Sequence, residues 1–142
     1  MKSLLGPVAA FYASSIGKKL IVAITGLALL GFLLGHMVGN LKIFFGPEKL
    51  NSYAAWLHSM PGLLWAARLG LLAALVAHVV TTILLVIQNR AARSDRYEHP
   101  ATIGATASSR TMMISGSIIL TFVIFHILHF TVGVASGYYD PY

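Results

Sequence analysis

Three stretches of this chain are apolar for longer than a globular core requires, and each carries one histidine. Segments 20–41, 63–88 and 111–136 each exceed the roughly 20 residues needed to cross about 30 Å of hydrocarbon. They hold His36, His78 and His126 in turn. A chain that is 57% hydrophobic and only 10% charged cannot place such blocks in a water-soluble domain of 142 residues. The expected fold class is therefore an all-α membrane protein with three transmembrane helices. The first block is too long for the h-region of a signal peptide, about 7–15 residues, and no small-residue cleavage site closes it. It is expected to stay in the mature protein.

The segments between the blocks set an expected orientation. Lys2, Lys18 and Lys19 precede the first helix, and Arg90, Arg93, Arg96 and Arg110 occupy the second connection. Basic residues favour the cytoplasmic side, which places the N-terminus inside and the tail 137–142 outside. Tyr53, Trp56, Trp65, Tyr138, Tyr139 and Tyr142 suit the opposite interface. The arm 1–19 reads as cytoplasmic, with a short surface helix over 4–17. The outer loop 42–62 carries its own helix, opened by Pro47 and Glu48, burying Leu50, Ala54 and Leu57 on one side and stopped by Pro61-Gly62. The cytoplasmic loop 89–110 is polar and long enough to dock a partner. The net charge of +6 lies at membrane borders, where it suits anionic lipid and gives no sign of nucleic-acid binding.

Ionisable side chains at membrane depth usually mark function. His36 lies sixteen residues past Leu20 and His126 sixteen past Arg110, so each stands roughly 24 Å above the inner border. His78, twelve residues before Arg90, stands at roughly 18 Å, a turn or so deeper. Two matched imidazoles and one offset fit a b-type haem clamped by His36 and His126, with His78 serving a second. A neutral imidazole fills each axial position of haem iron and favours electron transfer over oxygen chemistry. Gly31, Gly35 and Gly39 form a stripe beside His36 that admits either a flat macrocycle or a packed helix. The absence of cysteine excludes disulfides, iron–sulfur ligation by this chain and c-type haem attachment.

Two other classes remain open on the residues alone. A small transporter or channel also uses mid-membrane histidines, although all four acids, Glu48, Asp95, Glu98 and Asp140, fall outside the blocks. A structural membrane subunit would use the glycines for packing alone. Lys18, Lys19 and Arg110 fit lipid phosphate or haem propionate, His58 a solvated interface or a proton relay, and His99 a surface or partner contact.

Extended motifs narrow the choice. Ser15-Ile16-Gly17-Lys18-Lys19, Thr25-Gly26-Leu27 and Gly31-Phe32-Leu33-Leu34-Gly35-His36-Met37-Val38-Gly39-Asn40-Leu41 occur in order. Leu50-Asn51-Ser52-Tyr53-Ala54, Ser59-Met60-Pro61, Ser109-Arg110-Thr111-Met112 and Phe125-His126-Ile127-Leu128-His129-Phe130 follow. Over nearly its whole length the chain resembles the cytochrome b subunit of succinate dehydrogenase/fumarate reductase, of the bacterial dihaem single-anchor type. The resemblance implies a haem b-bearing anchor in the cytoplasmic membrane beneath a flavoprotein and an iron–sulfur subunit, passing electrons to quinone, with menaquinone the family-weighted choice. It implies His36 and His126 as the axial pair of the distal haem and His78 as one ligand of the proximal haem. His129 would contact a haem propionate or quinone, or replace His126. It also implies a five-helix bundle with a fourth histidine ligand on the fourth helix. This sequence ends at Gly137-Tyr138-Tyr139-Asp140-Pro141-Tyr142, so His78 is expected to lack a partner within it. That ending is expected to reflect a truncated reading frame or completion by another chain.

Overall fold

The computed structural model describes residues 5–92 and 106–133. The chain divides into two compact units, Met1–Ser94 and Asp95–Tyr142, each described by itself. Every regular element among the described residues is helical.

The first unit is a helical hairpin with a bent lead-in. Helix α1 (Leu5–Ala13) breaks at Ser14, which caps α2 (Ser15–Asn40). Ser14 takes an extended backbone, and its Oγ accepts from the Gly17 amide at 2.9 Å while donating to the Phe11 carbonyl at 2.7 Å. That arrangement satisfies one of the donors a helix start leaves unpaired. The bend is tight enough that a Cβ on Gly17 would overlap the Phe11 carbonyl. Lys18, 4% exposed, donates to the Ala13 carbonyl at 2.8 Å and lies over the Tyr12 ring. Its ammonium therefore caps the carbonyl end of α1.

Beyond Asn40 the first span tightens into a 3₁₀ turn, Leu41–Phe45, and Gly46 at φ 95° turns the chain into α3 (Pro47–His58). Pro47 opens α3 and Pro61 opens α4 (Pro61–Ala91), because a first-turn proline forfeits no internal hydrogen bond. Pro61-Gly62 thus begins the second span; α3 has already ended at His58. Leu50, Tyr53 and Leu57 are the half-covered positions of α3, while Ala54 is exposed. Tyr53 replaces Ala54 on the covered face because its ring lies against Gly39, where any Cβ would meet its hydroxyl at 2.8 Å.

The second unit contains α5 (Ala107–His126), capped by Thr106, and a π-helical segment, Ile127–Val132, that ends at Gly133 with φ 76°. Four hydroxyls along α5 bond back to their own helix: Thr111 to the Ala107 carbonyl, Ser115 to Thr111, Ser117 to Met113 and Thr121 to Ser117. Such bonds satisfy polar side chains where water is absent.

Three spans, Ser15–Phe45, Pro61–Ala91 and Ala107–Val132, are long and apolar enough to cross a membrane. The first two run beyond their apolar blocks at both ends, and the third begins four residues before its block, at Ala107. No apolar side chain among the described residues is fully buried. In water that exposure would forfeit the hydrophobic driving force, about 25 cal/mol per Å²; in hydrocarbon it has no such cost. The protein is an all-α membrane protein.

Candidate functional site

His78 is the histidine held by a neighbouring helix. Its ring lies against α2, with Nδ1 3.1 Å from Thr25 Oγ1 and 3.2 Å from the Val22 carbonyl oxygen. A carbonyl only accepts, so Nδ1 carries the proton and donates. Thr25 Oγ1 spends its own hydrogen on the Ile21 carbonyl at 2.7 Å, and so it also accepts from Nδ1. In the neutral ring the remaining nitrogen, Nε2, then holds a lone pair. A metal-ligating histidine has this arrangement: one ring N–H tied to a carbonyl, the other nitrogen presented to the metal. Gly26 gives the ring its space, since a Cβ there would stand 3.1 Å from His78 Cε1.

This contact corrects the depth reckoning. His78 sits level with Val22–Gly26, ten to fourteen residues before His36 on α2, or roughly 15–21 Å along the axis. The offset is about three turns, not one. Depth counted from Leu20 and Arg90 takes the two as level; in the hairpin, Arg90 lies twelve residues past His78 and so beyond the start of α2. His36 and His78 therefore cannot share one metal ion. They can serve two centres at different depths.

His36 is exposed on the C-terminal half of α2, stacked on Phe32 with ring centroids 5.3 Å apart. Asn40 Nδ2 donates to the His36 carbonyl at 2.8 Å and lies 3.2 Å from His36 Nε2. The first bond fixes which end of the amide is nitrogen, so Nε2 is the acceptor. His36 thus has the same tautomer as His78, with its lone pair engaged by one side-chain donor on its own helix. Beside it, nothing lies within 4 Å of a Cβ placed on Gly31 or Gly35, whereas Gly39 is covered by Tyr53. The glycine stripe divides accordingly. Its last member seats Tyr53 of α3, and the two nearer the span's middle face open space.

His126 and His129 belong to the second unit. His126 stacks on Phe122 at 5.6 Å and meets Phe130 at 5.0 Å. His129 stacks on Phe125 at 5.5 Å and meets Phe130 edge-on at 4.5 Å. The two imidazoles are thus sleeved by three phenyl rings across the change from α to π winding. The His129 Nδ1 atom is buried with no hydrogen-bond partner, a state that costs roughly 1–3 kcal/mol. π turns of this kind concentrate at functional sites.

The pattern Phe-x-x-x-His occurs three times, as Phe32/His36, Phe122/His126 and Phe125/His129. The i,i+4 spacing that makes these stacks is visible in the sequence and identifies Phe32, Phe122 and Phe125, which the search for ligands alone passes over. Thr25 and Gly26 stand in a recognisable motif, but only the hairpin register shows what they touch. His58 is exposed at the end of α3. His99 and most of the polar connection 89–110 lie outside the described residues.

Among the described residues no three His, Cys, Asp or Glu side chains gather into a metal cage. Within the hairpin, His36 and His78 stand at separate levels. No family model matches the chain, and neither a curated protein nor a solved structure matches it.

Proposed function

We propose that this chain is the haem b-bearing membrane-anchor subunit of a succinate:quinone oxidoreductase. It would pass electrons between an iron–sulfur subunit and membrane quinone, with menaquinone the favoured acceptor. The observation that carries this reading is His78: its Nδ1–H is committed to the Val22 carbonyl, and its Nε2 lone pair is left for a metal. The open glycines beside His36 add a place for a planar group, and the ordered motifs from Ser15 to Phe130 supply the family.

In this reading His78 holds the haem nearer the N-terminal side, and His36 with His126 hold the other. Bound haem would supply a one-electron carrier. The chain's own residues orient the imidazoles. The α2 backbone sets His78, Asn40 and Phe32 restrain His36, and Phe122 with Phe130 restrain His126. His129 would donate from Nδ1–H to a haem propionate or a quinone oxygen, relieving its buried Nδ1. The basic residues of 1–19 and 89–110 favour a cytoplasmic N-terminus in a bacterial inner membrane. Flavoprotein and iron–sulfur partners would then dock on that same side.

Succinate added to native membranes should reduce a b-type haem that co-purifies with the affinity-tagged chain, together with a flavoprotein and an iron–sulfur protein. A co-purifying b haem that neither succinate reduces nor fumarate oxidises would sink the proposed partnership.

A further inference from the structure

We propose that Thr25 is a positioning residue for His78: its hydroxyl locks the imidazole in the Nδ1–H tautomer and so presents Nε2 as the ligand atom. The proposal rests on the reading of His78 as a haem ligand, but its geometry belongs to the hairpin itself.

Thr25 Oγ1 is 2.7 Å from the Ile21 carbonyl and 3.3 Å from that of Val22, so its hydrogen points back along α2. Its lone pairs are what remain for His78 Nδ1, 3.1 Å away. The Val22 carbonyl, 3.2 Å from the same nitrogen, is a second acceptor. Two acceptors converge on one N–H, and both lie on a helix other than the one carrying the ring. Moving the proton to Nε2 would set a lone pair against the carbonyl oxygen, flipping the ring would set Cδ2 there in place of the donor, and in hydrocarbon no water replaces the lost bonds. Gly26, one residue on, keeps the ring edge close enough for both contacts. A serine or threonine inside a span usually satisfies itself by bonding to its own helix. Thr25 does so with its hydrogen and still has an acceptor for its neighbour, which valine, of nearly the same shape, would lack.

Two readouts follow, and neither is enzyme turnover. The first is ¹⁵N solid-state NMR of histidine-labelled protein in bilayers. It should show His78 in one form, protonated at Nδ1 and bare at Nε2 in the metal-free chain. Thr25→Val should add a second population protonated at Nε2, whereas Thr25→Ser should keep the single form. The second readout is the midpoint potential of the haem that disappears in His78→Ala. Acceptors on Nδ1–H make the imidazole more basic, so Thr25→Val should raise that potential and Thr25→Ser should leave it unchanged. If Thr25→Val fails to insert, Thr25→Ala removes the same acceptor without a branched side chain. A single unchanged tautomer in folded Thr25→Val or Thr25→Ala, with an unchanged potential, would overturn the proposal. A tautomer shift in a protein that carries no haem would leave the positioning intact and overturn the haem reading instead.

Discussion

The hairpin of α2 and α4 and the third span hold their histidines by different means. In the hairpin, His78 is fixed by the backbone and a hydroxyl of another helix, so both its direction and its protonated nitrogen are set. In the third span, His126 and His129 are held by phenyl rings of their own helix. Ring stacking restrains a side-chain rotamer but leaves the choice of protonated nitrogen to other partners. The difference teaches that a neighbouring helix can fix both the direction and the tautomer of an imidazole, whereas ring stacking fixes its direction alone. His36 stands between the two, with a stacked Phe32 and a donor from Asn40 on its own helix.

The comparison can be tested first at the glycines. Gly26→Val should push against His78 Cε1, 3.1 Å from the new Cβ. Overpacking of this kind costs about 1–3 kcal/mol, read as a lower unfolding temperature in detergent together with loss of the haem served by His78. Gly31→Val meets nothing within 4 Å. It should leave the unfolding temperature of the haem-free protein unchanged while reducing haem retention at the His36 site. Equal destabilisation of the haem-free protein by both variants would erase the distinction between the closed and open parts of α2.

Smaller effects test the manner of holding. Phe122→Ala removes a stack worth about 0.5–1.5 kcal/mol and should weaken haem retention at the His126 site modestly, as measured by transfer to apomyoglobin. The same substitution should leave the His78 haem untouched. Asn40→Leu takes away the donor that engages His36 Nε2, a bond worth about 1 kcal/mol. It should increase haem affinity at that site up to several-fold in a haem titration. A decrease would show that Asn40 supports the ligand instead of competing with it.

Much of the architecture is legible in the residues, for a physical reason. Hydrocarbon demands long apolar runs and forbids unpaired backbone, so three helices follow from composition and length. The capping signals at Pro47 and Pro61 are equally readable, although Pro61 proves to start a helix and not to stop one. Register between helices is not legible, because it depends on which side chains interlock. Reckoning depth from Leu20 and Arg90 missed the level of His78 by about two turns, and only the Gly26–His78 contact corrects it. The π winding at Ile127–Val132 leaves no mark in an apolar run whose every residue also suits an α-helix. Thr25 is visible as part of a motif, yet its acceptor role emerges only once α4 lies beside it.

The most direct test of the account is the reduced-minus-oxidised spectrum of the protein purified from native membranes, set beside single alanine variants of His36, His78 and His126. The account predicts a b-type spectrum with two components: His36→Ala and His126→Ala each remove the same one, and His78→Ala removes the other. A well-folded protein with no b-type signal, or variants of His36 and His78 that abolish the same component, would contradict it.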